Sequence, residues 1–231
     1  RALQNKFDPY LQVFNRLVAY KNIGHPTDKV ELIVLGGTWS FYPENYKIWF
    51  IKRSFDAMNN FYPEYNSTYL ETEKSENEKD VSWKDLFEAQ KINETAHSRC
   101  VGLVLETRPD YISQDEVRDL RKLGATKIQL GVQSLDDEIL QLNKRGHGVK
   151  ETKTAFKLLR EAGFKIHAHW MPNLYGSNPK KDIDDFKKLF TDEGLRPDEL
   201  KIYPCSLIAD TGLFEFYEKG LWKPYTEEQL L

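Results

Sequence analysis

Several short stretches of the sequence combine residue types that could hold or transform a ligand. His167 and His169 lie two apart and lead into Trp170-Met171-Pro172-Asn173-Leu174-Tyr175-Gly176. Paired imidazoles can act as acid and base, ligate a metal or contact a nucleobase. No carboxylate stands near them in sequence to complete a ligand set, and no metal site is expected in the chain. Gly36-Gly37-Thr38 would let backbone N–H and C=O groups approach a ligand closely, or would simply make a tight turn. Glu106-Thr107-Arg108-Pro109 offers a carboxylate able to accept hydrogen bonds from a ribose diol, with a Glu–Arg surface pair as the alternative. Gly131-Val132-Gln133-Ser134 places an amide with donor and acceptor capacity beside a glycine. In Asn143-Lys144-Arg145-Gly146-His147-Gly148 the cations suit a carboxylate, which arginine grips with two N–H groups, or the C-terminal end of a helix dipole. Lys201 and Tyr203 close the series, the tyrosine serving as a stacking face or as packed core.

The elements that would carry these residues alternate in type. Short apolar β runs at Val30–Leu35, Val101–Glu106, Lys127–Val132, Lys165–Met171 and Glu199–Tyr203 are separated by segments with helix punctuation. Ser113-Gln114-Asp115-Glu116 is a capping box ahead of Val117, Leu120 and Leu123, and Gly124 stops the helix. Ala155, Phe156, Leu158, Leu159 and Ala162 before Gly163 repeat the pattern, as do Ile183, Phe186, Leu189 and Phe190 before Gly194. Such alternation implies parallel strands joined by crossover helices, and in parallel α/β folds ligands sit at the carboxyl ends of strands. Most of the candidate residues fall at such ends. Side-chain parity refines the fold: Lys127, Gln129, Gly131 and Gln133 share one face of their strand, and Lys165, His167 and His169 share one face of theirs. A flat sheet covered on both sides needs apolar residues on both faces, whereas a barrel enclosing a polar ligand tolerates a polar interior. An open or partial barrel follows.

Composition sets the outer bounds. The chain has 231 residues, 33 Lys+Arg against 36 Asp+Glu for a net charge of -3, and 13% aromatics, which is a globular composition without the basic excess of a whole-domain nucleic-acid binder. Two cysteines, Cys100 and Cys205, without CxxC spacing exclude an iron–sulfur or zinc site built from cysteine alone and fit a reducing, cytoplasmic setting. No apolar run reaches membrane-spanning length, and no signal-like segment opens the chain. A single domain over residues 1–231 is expected, with a charged surface insertion around 66–80 centred on the Glu71–Asp80 run.

Taken in order, GGT, LVLETRPD, IQLGVQS, NKRGH and HAHWMPNLYGS resemble the radical S-adenosylmethionine core of the Elongator catalytic-subunit family, over nearly the whole chain from Asn5 to Pro204. The oxygen-independent coproporphyrinogen oxidases share a looser version of the pattern. The resemblance implies an α/β fold, a partial (β/α)6 barrel of which five parallel strands are recognisable here, open on one side to the anticodon stem-loop of a tRNA. It implies S-adenosylmethionine contacts from Gly36, Gly37 and Thr38 to the amino group, from Glu106 and Gln133 to the ribose, from Arg145 to the carboxylate, and from the Met171-Pro172 turn near adenine. His167, His169, Lys201 and Tyr203 are candidates to face the substrate. The family's reaction uses a [4Fe–4S] cluster and a 5′-deoxyadenosyl radical to add a carboxymethyl group derived from acetyl-CoA to carbon 5 of the wobble uridine, with further Elongator subunits as partners in eukaryotes. The cluster cysteines and the acetyltransferase domain of that family have no counterpart in these residues, so the chain by itself is expected to be inactive. A radical enzyme acting on a small molecule such as a porphyrin, or a tRNA-binding module without a cluster, would be the other readings.

Overall fold

The computed structural model of the chain describes residues 2–71 and 80–230. Most of the expected charged insertion therefore lies outside the described residues. The elements are α1 (Pro9–Asn22), β1 (Lys29–Val34), α2 (Glu44–Asn59), α3 (Trp83–Asn93), β2 (Arg99–Thr107), α4 (Gln114–Lys122), β3 (Lys127–Gln133), α5 (Asp137–Leu142), α6 (Val149–Glu161), β4 (Lys165–Trp170), α7 (Pro179–Thr191), β5 (Glu199–Ile202), α8 (Gly212–Glu218) and α9 (Glu227–Leu230), with short 3-10 turns between some of them. All five expected strands are present. They follow the order β1-β2-β3-β4-β5, and β1 with β2, β3 with β4, and β4 with β5 pair in parallel. This order never reverses, as it would at the switch point of a doubly wound sheet, and it is the winding of a barrel. No helix among the described residues is long and apolar enough to cross a membrane.

The chain divides into two compact units, residues 1–105 with 118–126, and residues 106–117 with 127–231. In the first, Asp8 caps α1 by accepting from Leu11 N at 3.0 Å, and Pro9 occupies the first turn, where its missing N–H costs nothing. The core of this unit is aromatic: Tyr10 stacks on Phe14 at 5.8 Å, Phe14 meets Phe61 edge-on at 5.5 Å, and the Arg53 guanidinium lies over Tyr10. Buried amides join α2, α3 and β2. Asn59 donates to Ala89 O, Asn93 donates to Asn59 Oδ1 and Ser98 O, and Cys100 N donates to Asn93 Oδ1 at 2.7 Å. Gly36 and Gly37 follow β1 at φ values of 135° and 111°, a region that side-chain-bearing residues rarely adopt.

In the second unit, Ile128, Leu130 and Val132 of β3 and Ile166 and Ala168 of β4 are fully buried, as are Ala155, Phe156 and Leu159 of α6. Each such Leu, Ile, Val or Phe side chain contributes roughly 1.5–3 kcal/mol of burial energy. The alternate positions of β3 and β4 carry the polar side chains, as parity predicts. Ser113 Oγ accepts from Glu116 N at 3.1 Å and Gly124 ends α4 at φ 91°, as the capping motif predicts.

Helix α7 departs from expectation. Its apolar periodicity predicts a buried face of Ile183, Phe186, Leu189 and Phe190, yet Ile183 is 56% and Phe190 48% exposed. The helix is rotated so that Asp182 and Asp185 join Leu189 inside. Hydrogen-bond demand from adjoining loops outweighs two apolar side chains here.

Candidate ligand-binding site

The second unit gathers most of the candidate residues at strand ends. Glu106 is the penultimate residue of β2, Gln133 ends β3, Arg145 and His147 follow α5, His167 and His169 lie on β4, and Lys201 and Tyr203 lie on and just after β5. Parallel register brings them side by side: Gln129 aligns with His167, His167 with Glu199, and His169 with Lys201. The His167 and His169 rings meet edge-on at 5.3 Å, and His169 meets Tyr203 in the same way at 5.9 Å. His169 Nδ1 lies 3.7 Å from Glu106 Oε1, and His167 Nδ1 lies 3.3 Å from Glu199 Oε2, which also takes Lys127 at 2.7 Å through its other oxygen. Lys201 Nζ stands 5.6 Å from the centre of the Tyr203 ring.

Electrostatics separate the roles. Burial, helped by the neighbouring Lys201 and His167, holds His169 down at about 4, so its imidazole is neutral near pH 7. Burial also lowers His167, against the pull of Glu199. The Glu106 carboxyl is raised by burial, with Lys201 opposing. Arg108 donates to Asp110 in a two-pronged ion pair, not to Glu106, which excludes the Glu–Arg surface pair and leaves Glu106 facing His169.

Among the described residues, the buried polar atoms near these strand ends that make no hydrogen bond include Gln129 Oε1, Arg145 Nε, His147 Nδ1 and His169 Nε2. Buried polar groups are ordinarily paired, so a cluster of unpaired ones marks a place built for a ligand or ordered water. Gly131 lets polar groups close in on the backbone. A Cβ there would sit 3.2 Å from Gln133 Nε2, 3.7 Å from Thr107 O and 3.9 Å from Arg145 Nη2, so the amide and the guanidinium converge over a residue without a side chain. Tyr203 OH reaches Gln133 Oε1 at 3.5 Å, and Gln133 itself holds a left-handed φ of 68°. Arg145 keeps its charge at a cost, since burial first and the nearby Arg108 second lower its pKa. The turn at Met171-Pro172 is half-buried and tied to the same place, with Met171 N donating to Gln133 O at 3.0 Å.

Gly36, Gly37 and Thr38 belong to the first unit, where both glycines are exposed with open space beside them and Thr38 begins a 3-10 turn without a side-chain cap. Two residues were not singled out from sequence. Gln129 was legible, lying on the same face as Gln133. His147 was visible only as a neighbour of Arg145; in the fold its Nε2 lies 3.2 Å from Val132 O and its Nδ1 3.9 Å from Asp110.

The arrangement suits a ligand with a carboxylate for Arg145, a diol for Glu106 and Gln133, and a planar ring near Met171-Pro172. Comparison with known proteins identifies the family. A Methanocaldococcus infernus protein named tRNA uridine(34) acetyltransferase is 47% identical over 231 residues, which is 100% of this chain and 40% of that protein. Human Elongator complex protein 3 is 36% identical over the same span, 39% of its length. The chain thus spans about two fifths of the length of these relatives. The structure of archaeal Methanocaldococcus infernus Elp3 lacking its N-terminus superposes with a TM-score of 0.85 and 46% identity, covering 99% of this chain and 49% of that one. Coproporphyrinogen III oxidase (HemN) from Escherichia coli, at 16% identity and a TM-score of 0.51, shares the fold alone. The model of the Radical SAM superfamily matches residues 8–190, and the chain belongs to that superfamily.

Proposed function

We propose that this chain is the radical S-adenosylmethionine core of a tRNA-modifying enzyme that adds a carboxymethyl group, derived from acetyl-CoA, to carbon 5 of the wobble uridine. The observation that carries this is identity of 44–47% across all 231 residues with archaeal proteins named tRNA uridine(34) acetyltransferase. The partner is then the anticodon stem-loop of a tRNA, joined by further Elongator subunits if the source is eukaryotic, and the setting is cytoplasmic. The whole of residues 1–231 serves as one functional core.

Family membership implies S-adenosylmethionine and an iron–sulfur cluster. The unpaired Arg145 Nε and the convergence of Gln133 and Arg145 over Gly131 fit the first: Arg145 would take the carboxylate, Glu106 and Gln133 the ribose, and Met171 and Pro172 the adenine, while the assignment of Gly36, Gly37 and Thr38 to the amino group rests on the family resemblance alone. Bound S-adenosylmethionine would supply hydrogen-atom abstraction only when an external electron cleaves it. The cluster does not fit these residues. Cys100 and Cys205 are free thiols raised by burial, Cys100 to about 11, and no group of three or more possible metal ligands occurs among the described residues.

The chain's own residues supply binding and orientation. Arg145 and Gln133 fix the ligand over Gly131. His169, neutral and with Nε2 unpaired, presents one hydrogen-bonding nitrogen to a substrate, and Gln129 Oε1 presents an acceptor. Lys201, aligned with His169 across β4 and β5, suits a phosphate oxygen. The buried strand faces exclude water, which preserves orientation and protects reactive species.

Anaerobic incubation of the full-length protein with reconstituted cluster, S-adenosylmethionine, acetyl-CoA and an anticodon stem-loop transcript tests this. Mass spectrometry of the digested RNA should show carboxymethylated uridine at the wobble position. Cleavage of S-adenosylmethionine with the RNA bound but unmodified would overturn the assignment.

A further inference from the structure

Helix α7 buries Asp182 and Asp185, 8% and 5% exposed, while leaving Ile183 and Phe190 in water. The hydrophobic effect alone would rotate the helix the other way. What the two carboxylates hold explains the choice. Asp185 accepts from Leu135 N at 2.8 Å, Ser134 Oγ at 3.2 Å and Trp170 Nε1 at 3.0 Å, gripping the loop that follows β3 and the last residue of β4. Asp182 accepts from Asn173 N at 2.7 Å, from Ser177 Oγ and from Tyr225 OH at 2.8 Å, gripping the loop that follows β4. Beside each grip stands one non-glycine residue in the left-handed region, Gln133 at the end of β3 with φ 68° and Asn173 in the loop after β4 with φ 65°. Such backbone persists only where its surroundings over-determine it. The loops are also joined to each other by the Met171 N to Gln133 O hydrogen bond.

We propose that Asp182 and Asp185 are positioning residues for ligand binding: one turn of α7 latches the two loops that carry Gln133 and the Met171-Pro172 turn, and so holds both in their binding conformation. Neither carboxylate touches the ligand in this scheme. Lys188 is the one cation ion-paired with Asp185 among the described residues, at 3.5 Å, so most of the charge is met by N–H and O–H donors aimed by the loops. The latch rests on the reading that Gln133 and Met171-Pro172 contact S-adenosylmethionine, and the test separates the two.

In the full-length protein, S-adenosylmethionine binding is titrated for Gln133→Ala, Asp182→Asn and Asp185→Asn, and amide hydrogen exchange is followed in the ligand-free state. Asparagine keeps the shape but loses charge and acceptor capacity. The expected result is at least a tenfold rise in Kd for both Asp variants, with faster exchange at Leu135 in one and at Asn173 in the other, and helical content retained. Asn173→Gly added to Asp182→Asn should recover most of the affinity, because glycine adopts the left-handed backbone unaided; a helix defect that is only structural would not be rescued in this way. Unchanged Kd in both Asp variants, with Gln133→Ala weakened, overturns the latch. If Gln133→Ala binds normally, the ligand reading fails, and the exchange data then decide: acceleration confined to the two loops upholds the latch, and its absence overturns it. Should an Asp variant not fold, Ser134→Ala and Tyr225→Phe, which each remove one donor, carry the same comparison.

Discussion

Replacing Arg145 with methionine should move stability and ligand affinity in opposite directions. In the free protein the guanidinium is a liability. Its Nε is buried without an acceptor, and burial together with Arg108 disfavours the charge. An orphaned buried donor costs about 1–3 kcal/mol, so removing it while keeping an apolar chain should leave stability unchanged or raise it by about 1 kcal/mol once the weaker attraction to Asp110 and Tyr203 is lost. Binding behaves otherwise. On the proposed reading the carboxylate of S-adenosylmethionine would supply the missing acceptor, and truncating one partner of such a hydrogen-bonded charge pair costs about 2–5 kcal/mol. Because Arg145 is only partly buried, the low end applies, about 2–3 kcal/mol, or roughly 30- to 150-fold in Kd. Anaerobic calorimetric titration of the full-length protein, paired with urea unfolding, reads both quantities. A Kd within threefold of the parent, or a stability loss above about 1 kcal/mol, would mean that the cation serves the fold and not the ligand.

Other outcomes follow from the same geometry. Gly131→Ala puts a methyl 3.2 Å from Gln133 Nε2 and should weaken S-adenosylmethionine binding about tenfold, about 1.4 kcal/mol, with little change in unfolding; equal loss of both would count against a site over Gly131. His169, held at about 4 against a usual 6.5, is neutral when folded and takes a proton more readily when unfolded, so its contribution is full above pH 6.5 and is lost as pH falls from 6.5 toward 4. At one pK unit per 1.36 kcal/mol this amounts to about 3 kcal/mol, and His169→Gln should flatten the acid limb of the stability curve; parallel curves would refute it. Asn93→Ala strips partners from Asn59, Ser98 O and Cys100 N and should cost about 2–4 kcal/mol in urea unfolding without touching ligand affinity. A loss below 0.5 kcal/mol, roughly the floor for a surface change, would show that water replaces the amide.

How far the sequence leads depends on which force fixes each feature. The strands were legible because their apolar runs are short and bounded by glycine or helix punctuation, and the inward face was legible because parity is geometry: Gln129, Gln133, His167 and His169 fall where alternation puts them. Helix α4 was legible from Ser113 and Gly124. The orientation of α7 was not. Asp182 and Asp185 sit in a run of lysines and aspartates that reads as a solvated face, and nothing local announces that donors from Ser134, Leu135, Trp170, Asn173 and Tyr225 converge on it. The Asn59–Asn93 link was hidden for the same reason, since its partners come from distant positions along the chain. Periodicity reports where oil meets water; it is silent on where a loop needs an acceptor.

The alternation along β3 and β4 has a consequence for how such a protein can diversify. Ile128, Leu130, Val132, Ile166 and Ala168 are chosen by packing, while Gln129, Gln133, His167 and His169 on the opposite faces of the same strands meet chiefly polar and aromatic partners such as Glu106, Glu199 and Tyr203. Substitution on one face therefore leaves the other nearly untouched, and a lineage can exchange its chemistry position by position without renegotiating its architecture. The two faces of a single ribbon answer to separate selective pressures, and the backbone between them is the only thing they share.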